Sequence, residues 1–191
     1  MIALAAPLYV ATGVLILAGL AKLHRPSATA GALRQLSVPM PLVSARVLGL
    51  AEVGIGVAAV LTGSRLAWAG VALSYLGFTL FVLWALGDEN RVGSCGCFGR
   101  EDTPVTPGHA AYNAAATAVA TLSVLDPVKL SAIEVSFLEG LLTAGLIAAG
   151  IALSIVVLSV LPRTLTLATG SAPPAVREFS LDSTTTPRGR T

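Results

Sequence analysis

The chain has 191 residues, 54% of them hydrophobic and only 12% charged, with a mean hydropathy of +0.82. That balance places it among integral membrane proteins. A net charge of +2 leaves no electrostatic footprint for a nucleic-acid partner. There is no convincing internal repeat, hydrolase-like Ser/His/Asp arrangement or phosphate loop.

Hydrophobic length organises the rest, since a span needs about 20 predominantly apolar residues. The first segment, Ile2 to Leu23, has no Lys or Arg before Lys22 and is too long for a signal-peptide core, so it reads as a retained transmembrane helix. Lys22-Leu23-His24-Arg25-Pro26 ends it with an interfacial anchor and a helix stop. Ser27 to Val38 spaces Ala30, Leu33 and Leu36 on one side and puts Arg34 and Gln35 on the other. It reads as a short amphipathic connector along the headgroups, ended by Pro39 and Pro41.

The second segment, Leu42 to Thr62, carries Arg46 near its start and Glu52 near its middle. A carboxylate at that depth costs a few kcal/mol unless it is paired, protonated or turned to a cavity. Arg46 and Glu52 are six positions apart and lie on different faces, so Lys22 is the expected partner of Glu52. Such a pair either fixes helix register or takes part in redox or proton chemistry.

Segment three, Arg65 to Leu86, is bracketed by Trp68 and Trp84. At ~1.5 Å per residue they stand roughly 24 Å apart, as two interfacial anchors would, rather than as a quinone stack. Segment four, His109 to Leu125, is short, Ala-rich and contains Asn113; it spans only if it packs tightly against neighbours. Segment five, Phe137 to Leu161, is the most apolar. Small residues recur four apart (Ala45 with Gly49, Gly70 with Ser74, Ala144 with Ala148), which suits close helix packing in lipid. The expected fold is all-α, an integral membrane bundle of four to five transmembrane helices over residues 1–165. A Ser/Thr/Pro-rich tail over 166–191 is expected to be disordered.

With five spans, ten of the twelve Lys and Arg residues fall on one side, leaving only Arg65 and Lys129 on the other. The charge bias puts the N-terminus outside and the 87–108 loop and the tail in the cytoplasm of a multi-pass plasma-membrane protein.

That loop holds the only two cysteines, in Gly93-Ser94-Cys95-Gly96-Cys97-Phe98-Gly99. The glycines let the backbone turn tightly and bring the sulfurs together. A disulfide across one residue closes a very small ring, and strained disulfides are the labile ones. Thiol–disulfide exchange by Cys95 and Cys97 is therefore the leading reading. Arg100, Arg91 or the start of segment four would favour a thiolate, with His109 as proton carrier; Glu101 and Asp102 oppose it. Two other readings stay open. Cys95, Cys97 and His109, with Asp102 or His24, would make a tetrahedral zinc set, or the thiols are a structural staple. No cofactor is fixed by the residues; zinc and quinone are the two candidates. Transport through the bundle has only Glu52 and Arg46 behind it. Oligomeric state is open.

Ala18-Gly19-Leu20-Ala21-Lys22-Leu23, Ala51-Glu52, Cys95-Gly96-Cys97-Phe98-Gly99 and Asn113 together resemble the methylamine-utilisation MauE family of DoxX-like membrane proteins. The resemblance covers about Met1 to Leu125; the tail departs from the family core. It implies a helical bundle working beside a thioredoxin-like partner, with Cys95 and Cys97 exchanging and Lys22 and Glu52 a supporting membrane pair. It also implies a role in maturing a disulfide-rich extracytoplasmic protein, as the family does for methylamine dehydrogenase. One cysteine pair is more similar to minimal reductant-transfer proteins of the CcdA type than to two-pair quinone-linked oxidases. The rival is a non-catalytic scaffold that recruits a thioredoxin-like protein.

Overall fold

The computed structural model describes residues 2–87, 105–128 and 136–160. The described residues form six helices: α1 (Ile2–His24), α2 (Pro26–Gln35), α3 (Pro41–Thr62), α4 (Arg65–Gly87), α5 (Pro107–Leu125) and α6 (Phe137–Ser159). All except α2 and α5 are long and apolar enough to cross a membrane. The protein is thus an all-α membrane bundle.

The seam between α1 and α3 is made of small residues. Ala45, Gly49, Glu52, Gly56 and Ala59 are the buried positions of α3, spaced so that they share one helical face. A Cβ on Gly49 would sit 2.7 Å from the carbonyl oxygen of Gly19, and one on Gly19 would sit 2.7 Å from that of Gly49. The two backbones therefore touch, an approach that only glycine permits. Farther along, Gly56 meets Ile16 and the Thr12 carbonyl, so the two helices run antiparallel.

Gly63, left-handed at φ 55°, ends α3, and with Ser64 it makes a two-residue turn into α4. α4 and α5 form the most extensive helix pair. They are antiparallel, because Trp68 meets Val128 while Tyr75 meets Tyr112. α6 docks chiefly on α1, with Gly13 against Ile151 and Gly150 against Val10. α5 lies antiparallel along α4, with His109, Asn113 and Ser123 on its buried side. Hydroxyls within the helices are satisfied locally. Thr12, Ser74, Thr79, Thr117, Thr121, Ser123 and Ser154 each donate to the carbonyl four residues back, which makes them tolerable in an apolar setting.

Two expectations need correction. Trp68 is not an interfacial anchor: it is fully buried, its Nε1 donates to the Val128 carbonyl at 3.2 Å, and Tyr9 packs edge-on against it. Trp84 is 37% exposed, as an anchor should be. Ala144 and Ala148 face outward on α6 and are exposed among the described residues, so that small-residue pair does not mark a packed helix face there. α2 buries Ala28, Thr29, Ala30 and Ala32 against α3, small side chains allowing the close approach, and leaves Leu36, just past its end, exposed. The tail from 161 onward lies outside the described residues.

Candidate functional site

Lys22 lies in the last turn of α1, one helical turn beyond Gly19. The Gly19–Gly49 contact draws α3 close enough for the Lys22 Nζ to donate to Glu52 Oε2 at 2.8 Å, with both side chains almost wholly buried. The ammonium also lies 5.2 Å from the ring centroid of Phe78 on α4, a distance at which the ring quadrupole attracts a cation. Three helices therefore meet on one charge. Glu52 Oε1 has no hydrogen-bond partner among the described residues. Removing two charges from water is expensive, and mutual attraction offsets that cost only while the pair stays intact.

His109, Tyr112 and Asn113 stand at i, i+3 and i+4 on α5 and so share a face. All three line a cavity of about 30 Å³, closed by Val14, Leu15, Ala18 and Lys22 of α1, Tyr75 and Phe78 of α4 and Leu158 of α6. His109 is buried in the first turn of α5, and its Nδ1 is 2.8 Å from Thr106 Oγ1. Tyr75 Oη donates to the Ala11 carbonyl at 2.6 Å, bracing α4 against α1. Tyr112 Oη and His109 Nε2 are buried and make no hydrogen bond of good geometry with the described residues, although the Leu158 backbone lies beside the imidazole and Ser154 and Tyr75 beside the phenol.

Lys22, Glu52, His109 and Asn113 thus gather at one end of the bundle. Arg46, an alternative partner for Glu52, is exposed. Cys95, Cys97, Arg91, Arg100 and Asp102 lie outside the described residues. The segment carrying them leaves α4 at Gly87 and rejoins at Val105, just before α5. Both attachment points belong to the end of the bundle that holds the ion pair and His109. Among the described residues no cluster of His, Cys, Asp or Glu is arranged to hold a metal.

Sequence reasoning missed Tyr75, Phe78 and Tyr112. One signal was available: a tyrosine hydroxyl in an apolar helix needs somewhere to go. It says nothing of where.

A family model described as methylamine utilisation protein MauE matches residues 1–126. The chain belongs to the MauE family. The match takes in α1 to α5 and the cysteine segment, and so covers Lys22, Glu52, His109 and Asn113. α6, which adds Leu158 to the cavity wall, lies beyond the matched region of this MauE-family membrane protein. No curated protein and no solved structure matches the chain significantly.

Proposed function

We propose that this MauE-family protein carries out thiol–disulfide exchange at the membrane surface, with Cys95 and Cys97 as the exchanging pair and a thioredoxin-like protein as partner. One observation carries the reading: the cysteine segment is tethered at both ends to the part of the bundle where buried polar groups converge. His109 sits in the first turn after it, and Lys22 and Glu52 lie behind. Exchange needs a thiolate and a group to take its proton, and an imidazole at the root of the segment suits the second task.

In the reaction, one cysteine thiolate attacks the disulfide of an acceptor protein and forms a mixed disulfide, expelling an acceptor thiolate. The second cysteine attacks the mixed disulfide and releases the acceptor as a dithiol. Two electrons and two protons pass to the acceptor, and Cys95–Cys97 is left oxidised. The thioredoxin-like partner, as its dithiol, reduces Cys95–Cys97 by the same steps in reverse and is itself oxidised to its disulfide. A ring closed across one residue is strained, which keeps the oxidised form easy to reduce. Arg25, Arg34 and Arg46 belong to this end of the bundle and Arg65 to the other, and the positive-inside bias supports a cytoplasmic face for the segment. Electrons then enter from a cytosolic donor and leave toward an extracytoplasmic acceptor. The family's association with methylamine utilisation makes a disulfide-rich protein of that metabolism the first acceptor to try.

The test is labelling of Cys95 and Cys97 in intact cells with a membrane-impermeant maleimide, with and without prior reduction. The reading expects labelling only after permeabilisation and only after reduction. Labelling from outside reverses the topology, and labelling indifferent to reductant removes the exchange chemistry. A Cys95→Ser/Cys97→Ser variant that fully complements a deletion strain would leave a non-catalytic scaffold.

A further inference from the structure

We infer that the cavity between α1, α4, α5 and α6 is a buried water site, linking His109 to Tyr112 in a hydrogen-bonded chain that can carry a proton. The inference stands on the cavity alone and needs neither cysteine.

Size is the first argument. A cavity needs about 10–15 Å³ to hold a water, and this one has about 30 Å³, room for one or two. An acyl chain or a quinone ring does not fit. Chemistry is the second. The wall is mostly apolar, but His109, Tyr112, Asn113 and Lys22 contribute to it, and a water in a cavity needs such polar partners. His109 Nε2 and Tyr112 Oη lack direct partners, and leaving both unsatisfied would cost about 1–3 kcal/mol each. The neighbours of Tyr112 Oη, Tyr75 and Ser154, give their protons to the Ala11 and Gly150 carbonyls, so they can only accept from it, and its lone pairs are left for a water.

Water answers a requirement that other small ligands do not. A neutral imidazole donates from one nitrogen and accepts at the other, and Nδ1 is engaged with Thr106 Oγ1. Nε2 is therefore a donor in one tautomer and an acceptor in the other; the Leu158 backbone beside the ring serves only the first, whereas water serves either. A second cation is excluded, since Lys22 already fills that role. The chain Thr106–His109–water–Tyr112 then runs from the first turn of α5 into the bundle interior. Exchange of donor and acceptor roles moves a proton along it without moving a side chain.

The sequence makes the test simple, because the chain has two histidines and His24 is exposed. Full-length His24→Ala protein, 15N-labelled at histidine and reconstituted in lipid bilayers, has one imidazole to observe by solid-state NMR. The expected result is a correlation between the His109 Nε2 site and water protons. It should vanish in Ala18→Val, which fills the cavity, while the Nδ1 contact with Thr106 persists. Tyr112→Phe, which keeps the ring and removes one end of the chain, should shift the Nε2 resonance. A correlation to lipid methylenes in place of water overturns the inference. So does the absence of any water correlation, or a Nε2 resonance indifferent to Tyr112→Phe. If Ala18→Val does not fold, the Tyr112→Phe shift decides.

Discussion

The two ends of the bundle solve the same problem in opposite ways. At one end Trp68 is fully buried, gives its N–H directly to the Val128 carbonyl, and is packed edge-on by Tyr9, whose hydroxyl is the one buried polar atom there without a partner among the described residues. At the other, a charged pair, an imidazole and a phenol lie around a small cavity, and three of their polar atoms have no direct partner among the described residues. Close packing with direct hydrogen bonds yields stability. An incompletely satisfied polar cluster is costly in an apolar surround, and such clusters in membrane proteins mark working sites. The cysteine segment is tied to the costly end.

The comparison breaks most easily at the ion pair. Lys22→Met should destabilise the protein by about 3–5 kcal/mol, the usual cost of stranding one member of a buried pair, read as a lowered unfolding midpoint in detergent micelles. Adding Glu52→Met should recover much of that loss. A Lys22→Met protein as stable as wild type would mean that the polar end carries no such cost.

The glycine contact comes next. Gly49→Ala sets a methyl 2.7 Å from a backbone oxygen and close to the Lys22 side chain, so α1 and α3 must part. A loss of about 1–3 kcal/mol is expected for overpacking of this kind, with the Lys22–Glu52 contact loosened as well. Unchanged stability would show that the backbones do not approach so closely. At the tight end, Trp68→Phe removes one hydrogen bond and part of a ring, for about 1–2 kcal/mol. It should leave the redox state of Cys95 and Cys97 in cells as in wild type. A changed redox state would couple the two ends and blur the division. The smallest effect is expected at Ala148→Leu on the outward face of α6: under about 0.5 kcal/mol. A larger loss would reveal a helix or second chain packed there.

The four long helices were legible from apolar length alone, since a run of about 20 apolar residues crosses a bilayer only as a helix. The Lys22–Glu52 pair could be read too, because a mid-helix carboxylate requires a partner and few cations were within reach. Other features could not be read, for a physical reason. In lipid both faces of a helix are apolar, so periodicity does not tell inside from outside. Trp68 was indistinguishable from an interfacial anchor, and Ala144 with Ala148 from a packed pair. Tyr75 and Tyr112 lie far apart in sequence, and only the antiparallel pairing of α4 with α5 brings their rings to 6.2 Å. Cys95 and Cys97 were found by spacing, and spacing gives no environment.

The position of Glu52 also bears on how the protein is made. α3 and α4 are joined by just Gly63 and Ser64 and leave the ribosome as one hairpin, after α1 has entered the bilayer. Lys22, two residues from the end of α1, can reach the headgroups by snorkelling and wait there. Glu52, eleven residues into α3, has no such exit. The carboxylate is thus the side chain with the most to gain from docking of the hairpin onto α1, where Lys22 awaits it.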